Sequence, residues 1–410
     1  MSDPVSDRVT RPSPATRPED ICPHPPDLGE LATRPHSPAI YPASVWRCDE
    51  PAQADLMLAG KLAGYVYQRD GHPNGDQLAE QCRMLHGAER AVVTSSGMSA
   101  MSAALLAFLQ AGDHVLVGRY LYGKSQTLLV AEGSRLGIES TLADTCDLAA
   151  VEAAMRPQTR LMVVETIANP RLQVADIAAL AELAHRHNAR LLVDNTFATP
   201  LLCRPIDLGA DLVLESITKM MNGHSDVILG LLAGRAAGWE RVPRAISAWG
   251  LASAPFECWL AARGLATMAV RMDRAFENAA RAARLLAGRN EVRQVDYPGL
   301  ESHPQHSLAR RQLNGRYGSI VTFHLPGGTA AATAFLQAAR RIPFCPSLGE
   351  VATTISHPES TSHRALTAAE RSALGIDGGT LRLSVGIESS DYIEECLIEG
   401  LIAAAKAGTM

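Results

Sequence analysis

With 410 residues, the chain can hold two or three domains and can bury a substantial core. Hydrophobic residues make up 47% and charged residues 20%, and 38 basic against 43 acidic side chains leave a net charge of −5. This composition is ordinary for a globular enzyme and gives no support to a nucleic-acid or membrane partner.

The lack of a recognisable targeting segment and the spacing of the cysteines predict the cellular compartment of the protein. No apolar run approaches the ~20 residues that a membrane-spanning helix needs, and the N-terminus lacks the apolar core of a secretory signal. The eight cysteines are scattered and include no C-x-x-C pair. This spacing favours free thiols in the reducing cytoplasm over a disulfide framework or a zinc site, so no bound metal is expected.

The first part of the chain is rich in proline. Ten of the 24 prolines fall within the first 42 residues, so the segment to about Pro42 cannot form regular helix or sheet. We expect this opening to be an extended arm, able to wrap a neighbouring subunit, or a disordered tail. The arm is assigned to residues 1–65.

From about residue 75, short apolar runs alternate with helical segments. The segments ALLAFLQA (104–111) and DIAALAELAHRHN (176–188) have helical character, and the second keeps its apolar residues at helical spacing. Strands that are apolar throughout and separated by helices indicate a mainly parallel sheet covered on both faces, here in a large α/β domain at 66–255. The predicted strands are RAVVTSS (90–96), DHVLVG (113–118), TRLMVVET (159–166), ARLLVDN (189–195) and ADLVLES (210–216).

After about residue 255 the pattern changes. The segment 262–288 is rich in Ala and Arg, contains no proline and predicts one or two helices. Strands are predicted at VRQVDYP (292–298), GSIVTFHL (318–325) and TLRLSVGI (380–387). Together these elements predict a smaller C-terminal α+β domain at 256–410.

Polar clusters follow several strands of the large domain, and ligands of parallel sheets bind at the carboxyl ends of strands. Lys219 lies just after an apolar strand, between hydroxyl and glycine residues, where a dry environment would lower its pKa and make it a nucleophile. Asp194 ends the preceding predicted strand. A pyridoxal phosphate site needs such a lysine for the cofactor aldehyde and a carboxylate for the pyridine nitrogen. The segment SSGMSAMSAALL (95–106) supplies a helix start, with Gly97 allowing the phosphate a close approach.

Several ordered motifs make the chain resemble a known family, the pyridoxal-phosphate enzymes of Cys/Met metabolism. These include cystathionine γ-synthase, cystathionine γ- and β-lyases, methionine γ-lyase and the O-acylhomoserine sulfhydrylases. The resemblance runs from about Pro38 to the C-terminus. The motifs are YQRDGHPNGDQLAE (67–80), VVETIANP (163–170), VDNTFATP (193–200), SITKMMNGHSD (216–226), RGLATMAVRM (263–272), YPGL (297–300), SLGEVATTISHP (347–358) and LRLSVGIE (381–388).

The resemblance implies an aspartate-aminotransferase-like fold of type I and a role for each matching residue. Lys219 would bond to the cofactor and shuttle protons, and Asp194 would pair with the pyridine nitrogen. Tyr122 would stack on the cofactor ring and act in acid–base chemistry. The phosphate would be held by Gly97, Met98, Ser216 and Thr218, with Tyr67 and Arg69 added by the neighbouring subunit of a homotetramer built as a dimer of dimers. The substrate carboxylate would be bound by Arg382, Asn169 and Ser347.

A second pattern, GRYLYGKS (118–125), matches the nucleotide-binding P-loop G-x-x-x-x-G-K-S. A P-loop needs backbone amides that wrap the phosphates, but the positions between these glycines are the bulky Arg119, Tyr120, Leu121 and Tyr122. A phosphate-binding segment already precedes it in the chain. An NTPase is therefore a remote alternative, as is a non-catalytic relative, because Lys219, Asp194 and Arg382 are intact.

Departures from the family pattern bear on the substrate. Lys124 stands where many members have glycine, and we expect it to add a cation at the mouth of the site for a distal acidic group. Met220 and Glu215 replace the tyrosine and the histidine that flank the lysine motif, and Pro346 lacks the carboxylate of some γ-specific members. The sequence predicts C–S cleavage or formation at the γ carbon of a cystathionine- or homoserine-type substrate, with O-acylhomoserine sulfhydrylase, methionine γ-lyase and cystathionine β-lyase as alternatives.

Overall fold

A seven-stranded sheet forms the centre of the larger part of the molecule. The structure is a computed structural model and describes residue 33 and residues 36–408. The sheet order is β1-β7-β6-β5-β4-β2-β3, and β7 alone runs antiparallel to its two neighbours, so the predicted mainly parallel sheet is confirmed. The strands are β1 (Arg90–Thr94), β2 (His114–Gly118), β3 (Glu139–Ala143), β4 (Thr159–Glu165), β5 (Arg190–Asp194), β6 (Leu212–Ser216) and β7 (Gly230–Gly234).

The chain divides into two compact units, Met1–Ala39 and Ile40–Met410. Most of the first unit, and so most of the predicted Pro-rich arm, lies outside the described residues. In the part of the arm between residues 40 and 65, a helix occupies Pro51–Leu58 and an isolated bridge pairs Val45 with Tyr67, so this part is not extended throughout.

Helices connect the strands and cover both faces of the sheet. Asp176 caps the helix Ile177–Arg186 by accepting a hydrogen bond from the Ala179 N–H at 3.1 Å, which fixes the start that its apolar spacing predicts. The helices are α1 (Pro51–Leu58), α2 (Pro73–His86), α3 (Gly97–Phe108), α4 (Gly123–Gln126), α5 (Gly133–Arg135), α6 (Leu148–Ala154), α7 (Ile177–Arg186), α8 (Thr199–Leu202) and α9 (Arg241–Trp249), with a π-helical stretch at Thr127–Glu132 and 3₁₀ turns at Gln68–Asp70 and Pro205–Leu208.

Successive residues of the central strands bury opposite faces. Val163 and Leu192 join the core under α3, whereas Met162 and Val193 join the core under α7. Because neither face of the sheet meets water, the central strands are apolar throughout and do not alternate between apolar and polar residues. This uninterrupted apolar character is the feature from which the sequence predicts a sheet covered on both faces.

A second sheet of four antiparallel strands forms the smaller domain, in the order β10-β11-β9-β8. Its core includes Phe323, Phe335, Leu381 and Leu397, where the strands pack against three of the helices. The elements are α10 (Pro255–Leu265), α11 (Met268–Ala287), β8 (Gln294–Asp296), α12 (His306–Gln312), β9 (Ile320–His324), α13 (Gly328–Ala338), β10 (Thr354–Ser356), a 3₁₀ turn at Pro358–Ser360, α14 (Ala368–Ala373), β11 (Thr380–Ser384) and α15 (Ser390–Gly408).

The predicted strands are all present, and the segment 262–288 divides into two helices that break between Leu265 and Met268. Three strands were not predicted: β3, β7 and β10. The boundary at residue 255 between the two domains stays a prediction. None of the described helices is both long and apolar enough to cross a membrane.

Candidate active site

A cleft of about 940 Å³ lies at the carboxyl ends of β2, β4, β5 and β6. The smaller domain closes one side of it with Ser347 and Arg382. Among the predicted site residues, those that line it are Gly97, Met98, Tyr122, Lys124, Asn169, Asp194, Ser216, Thr218, Lys219, Ser347 and Arg382. The structure therefore brings together residues that are up to 285 positions apart in the chain, as parallel-sheet sites do.

Two predicted residues, Tyr67 and Arg69, are not part of this lining. Tyr67 is 43% exposed, and the Arg69 guanidinium lies 4.9 Å from the centre of its ring. Both side chains are therefore exposed on the surface of the subunit. The expectation that they act in a neighbouring subunit stays a prediction.

Lys219 follows β6 in a tight turn, with its N–H donating to the Ser216 carbonyl at 3.0 Å. Its Nζ donates to Ser347 Oγ at 3.0 Å. Burial lowers the pKa of Lys219, and the positive charge of Arg382 lowers it further. A lysine whose pKa is lowered has a larger neutral fraction, which can act as a nucleophile and as a base.

Asp194 ends β5 at the floor of the cleft. Its Oδ1 accepts from the Thr196 N–H at 3.0 Å and from the Thr196 hydroxyl at 2.6 Å. Burial raises the pKa of Asp194, and the two bonds from Thr196 act in the opposite direction. A carboxylate held in such a place is stabilised by a cationic partner, and a protonated pyridine nitrogen is one.

A second carboxyl, that of Glu165, lies beside Asp194 and was not predicted. Glu165 ends β4, and its Cα is the register partner of the Asp194 Cα. Burial raises the pKa of Glu165 well above its usual range, and the negative charge of Asp194 adds to the shift. The signal in the sequence was the acid that ends the apolar run TRLMVVE, a position equivalent to that of Asp194 on the next strand.

The start of α3 forms the anion-binding part of the cleft. Ser96 caps the helix by accepting from the Ser99 N–H at 3.0 Å, and Gly97 and Met98 occupy the first helical positions. A Cβ at Gly97 would lie 3.0 Å from the Ser216 Cβ, so glycine allows the helix to approach β6. The Thr218 hydroxyl donates to the Leu229 carbonyl at 3.2 Å, so binding a phosphate would require it to change partner.

Arg382 on β11 is buried and has no acidic partner among the described residues. Its Nη1 donates to Asn169 Oδ1 at 2.8 Å and its Nη2 to the Ser347 carbonyl at 3.1 Å, while Nε has no partner in the described part of the chain. Burial lowers the pKa of Arg382 to about 10, although the negative charge of Glu350 acts in the opposite direction. A buried guanidinium that makes no salt bridge within the described residues favours an anionic ligand, and a carboxylate matches its geometry.

The mouth of the cleft is cationic. Lys124, in the first turn of α4, is exposed and lines the cleft, and its role with an acidic substrate stays a prediction. Arg119 and Arg364 are exposed and line it as well, although neither was predicted. The acidic residues of the lining, Glu165 and Asp194, both lie at the floor.

Two other departures from the family pattern lie away from the cleft. Met220 is fully buried in the core. Glu215 is also fully buried, on the opposite face of β6 from Leu214 and Ser216, and accepts from Asn195 Nδ2 at 3.0 Å. Its Oε1 lies 3.3 Å from His86 Nε2, and burial raises the pKa of Glu215 and lowers that of His86 to about 3.

Together these residues fit pyridoxal phosphate. A lysine with a lowered pKa, a carboxylate at the floor and a helix start with a close-approach glycine match its aldehyde, its pyridine nitrogen and its phosphate. The orphaned Nε of Arg382 adds a place for the carboxylate of an amino acid.

Comparisons with known proteins agree with this chemistry. The family model for Cys/Met metabolism PLP-dependent enzymes matches residues 26–402. An L-methionine gamma-lyase of Porphyromonas gingivalis is 40% identical over 366 residues, which are 88% of this chain and 91% of that protein. An O-succinylhomoserine sulfhydrylase of Pseudomonas aeruginosa is 39% identical over 368 residues, 90% of this chain and 91% of that protein. The crystal structure of cystathionine gamma synthase from Xanthomonas oryzae pv. oryzae in complex with cystathionine superposes with a TM-score of 0.85 at 39% identity, covering 90% of this chain and 94% of that one.

Proposed function

The chain belongs to the Cys/Met metabolism PLP-dependent enzymes, and on that premise we propose that it makes or breaks a C–S bond at the γ carbon of a cystathionine- or homoserine-type amino acid. The observation that carries the proposal is the position of Lys219 and Arg382 on either side of Ser347. Nζ lies 3.0 Å from the Ser347 hydroxyl, and Nη2 lies 3.1 Å from its carbonyl. One amino acid can then place its carboxylate on Arg382 and its Cα–H near the amine.

Lys219 and Asp194 have separate tasks in this proposal. When bound, the cofactor withdraws electrons from the substrate Cα. Lys219 would hold the cofactor covalently, and its free amine would take the Cα proton and then assist in removing one from Cβ. Asp194 keeps the pyridine nitrogen protonated, so that the electrons can be accepted. The γ substituent then leaves as a thiol or a carboxylate.

The remaining residues hold and orient. Tyr122 covers the cofactor ring and exchanges protons with the reacting atoms. Arg382 and Asn169, together with Ser347, would fix the substrate carboxylate and so orient the Cα–H for proton transfer. Gly97 and Met98 at the start of α3, with Ser216 and Thr218, would hold the phosphate.

Tyr67 and Arg69 are proposed to complete the phosphate site of a neighbouring subunit in a homotetramer built as a dimer of dimers. Support comes from their exposure and from their absence from the lining of their own cleft, within the described residues. A cytoplasmic location is also proposed. It is supported by the seven free cysteines of the described chain.

The mouth of the cleft favours an acidic substrate. Lys124 is proposed to bind the distal acidic group, which is the second carboxylate of cystathionine or of a succinyl ester. Arg119 and Arg364 line the same mouth, where the lining has no acidic residue. Methionine, whose side chain carries no charge, would gain nothing from these three cations.

Three alternatives differ in the fate of the substrate. An O-acylhomoserine sulfhydrylase adds a thiol and releases no oxo acid, and its support is the 39% identity to the Pseudomonas aeruginosa enzyme of that name. A methionine γ-lyase is supported by the 40% identity to the Porphyromonas gingivalis enzyme. A cystathionine β-lyase expels sulfur from Cβ and would release pyruvate from cystathionine.

The experiment that tests the proposal identifies the oxo acid formed from L-cystathionine by the enzyme loaded with pyridoxal phosphate. Release of 2-oxobutanoate means γ cleavage and supports the proposal. Pyruvate means β cleavage and contradicts it. With no oxo acid, the enzyme is next given O-succinylhomoserine and a thiol, and formation of a thioether assigns γ replacement.

A further inference from the structure

Glu165 holds two loops of the cleft by their main chains. Its Oε1 accepts from the Tyr122 N–H at 2.8 Å, and its Oε2 accepts from the Asn169 N–H at 3.2 Å. The two loops follow the neighbouring parallel strands β2 and β4, and both line the cleft. One carboxylate at the floor therefore fixes both.

The two loops carry different parts of the proposed site. Tyr122 is the N-cap residue of α4, and its N–H donates to Glu165. Asn169 accepts from Arg382 Nη1 at 2.8 Å and so orients the guanidinium. Tyr122 is the proposed cover of the cofactor ring, and Asn169 with Arg382 is the proposed site of the substrate carboxylate.

The charge of Glu165 determines how many loops it can hold. An ionised carboxylate offers a full acceptor on each oxygen, whereas a protonated one has a single strong acceptor. Burial opposes ionisation of Glu165, and the negative charge of Asp194 adds to that opposition. A positive charge placed against Asp194 would offset the second contribution, so a bound cofactor with a protonated ring nitrogen would shift Glu165 towards the form that holds both loops.

We propose that Glu165 is a positioning residue, which builds the ring platform at Tyr122 and the carboxylate site at Asn169 and Arg382 together when the cofactor is bound. The inference rests on the proposed function only in placing the cofactor at Lys219 and Asp194. It adds that the ring platform at Tyr122 and the carboxylate site at Asn169 and Arg382 are both held in position by the Glu165 side chain.

The test compares Glu165→Gln with Glu215→Gln in the cofactor-loaded enzyme. Glutamine keeps the shape of Glu165 but offers one acceptor oxygen, so one N–H loses its partner. The control removes a buried carboxyl of the same sheet that contacts neither loop. Binding of glycine, which has a carboxylate but no side chain to eliminate, is read from the cofactor absorbance, and the visible circular dichroism of the cofactor reports the ring platform.

For Glu165→Gln we expect the apparent Kd for glycine to rise about tenfold, the factor that 1.4 kcal/mol represents, and the visible dichroism to fall by about half. For Glu215→Gln both should stay within about twofold of the parent enzyme. Equal changes in the two variants, or no change in Glu165→Gln, would overturn the proposal. Glycine binding needs no γ chemistry, so the result stands apart from the outcome with cystathionine.

A second measurement uses the parent enzyme, in case Glu165→Gln does not fold. Hydrogen exchange is followed by mass spectrometry in peptides that contain Tyr122 and Asn169, with and without the cofactor. We expect both amides to exchange more slowly in the loaded enzyme, and by similar factors. Protection of only one, or of neither, contradicts the proposal.

Discussion

The floor and the mouth of the cleft are built differently. At the floor, the side chains of Lys219, Asp194, Glu165 and Arg382 each have named hydrogen-bond partners, and two of them are held from the smaller domain. At the mouth, Lys124, Arg119 and Arg364 are exposed, and within the described residues their main chains make hydrogen bonds but their side chains make no hydrogen bond or ion pair. The floor thus has one fixed geometry, suited to chemistry that relatives share, whereas the mouth is free to change with the substrate.

The largest effect is expected from removing the amine at the floor. Lys219→Ala should lower the rate of C–S bond cleavage by about 10³-fold or more, because both the covalent hold on the cofactor and the proton-transfer base are lost. Initial rates measure the loss. Reduction with borohydride followed by mass spectrometry should find the cofactor attached to position 219 in the parent enzyme and in Lys124→Ala. An adduct retained by Lys219→Ala would contradict the assignment.

Asp296, in the smaller domain, also helps to hold the floor of the cleft in place, through an ion pair with Arg171. Arg171 donates to its two carboxylate oxygens at 3.0 and 3.1 Å, and His324 Nε2 lies 2.8 Å from Oδ2. Arg171 is two residues from Asn169, so the pair holds the segment that orients Arg382. Asp296→Ala should lower the free energy of unfolding by about 3 kcal/mol, because it removes the carboxylate that pairs with Arg171 and with His324 Nε2. Urea denaturation measures this, and Asp391→Ala, at an exposed pair with Arg281, should change it by less than about 1 kcal/mol.

The contacts of Asp296 with Arg171 and His324 also predict that the free energy of unfolding depends on pH. Burial alone would raise the pKa of Asp296, but the hydrogen bonds from His324 and Arg171 outweigh it and lower the pKa to about 2. The pKa is lower in the folded state than in the unfolded state, so the stabilisation is present above about pH 4 and is lost as the pH falls towards 2. The parent enzyme should lose about 2 kcal/mol more than Asp296→Ala over this window. Parallel curves for the two would exclude the linkage.

Arg382 tests whether the floor selects amino acids by their carboxylate. Arg382→Ala should raise KM about 50-fold for every amino-acid substrate, because a charge-assisted bidentate contact is lost, with a smaller effect on the rate at saturation. Arg382→Lys keeps the charge but not the planar fork, and should recover only part of the loss. A KM change confined to acidic substrates would place the carboxylate elsewhere.

The sequence predicted the floor better than the mouth, for a physical reason. Asp194 ends an apolar strand and Lys219 follows one after a tight turn, so a local pattern locates both residues and the parallel sheet brings them together. Arg364 lies in the loop between the 3₁₀ turn Pro358–Ser360 and α14, and this loop lines the cleft. No spacing in the sequence predicts that the loop reaches the cleft. Glu165 was missed because an acid at the end of the run TRLMVVE is a weak signal by itself, and its register with Asp194 follows only from the pairing of the strands.

The strands that were missed have weak local signals. β7, GLLAG, is short and begins and ends with glycine, because a Cβ at Gly230 would lie 2.1 Å from the Ser96 carbonyl at the start of α3. β3, ESTLA, lies at the edge of the sheet and is only partly buried, so it does not need the apolar character of its neighbours. Tertiary position, not intrinsic preference, makes both of them strands.

The smallest effect, and the sharpest test of the comparison, is expected at the mouth. Lys124→Ala and Arg364→Ala should each raise KM for cystathionine or O-succinylhomoserine about fivefold and leave KM for methionine within about twofold, since exposed charges contribute little except to a ligand of opposite sign. Added salt should reduce the difference from the parent enzyme. Equal effects on acidic and neutral substrates would mean that these side chains support the fold of the cleft and do not select the substrate. The floor would then have to account for specificity as well as for chemistry.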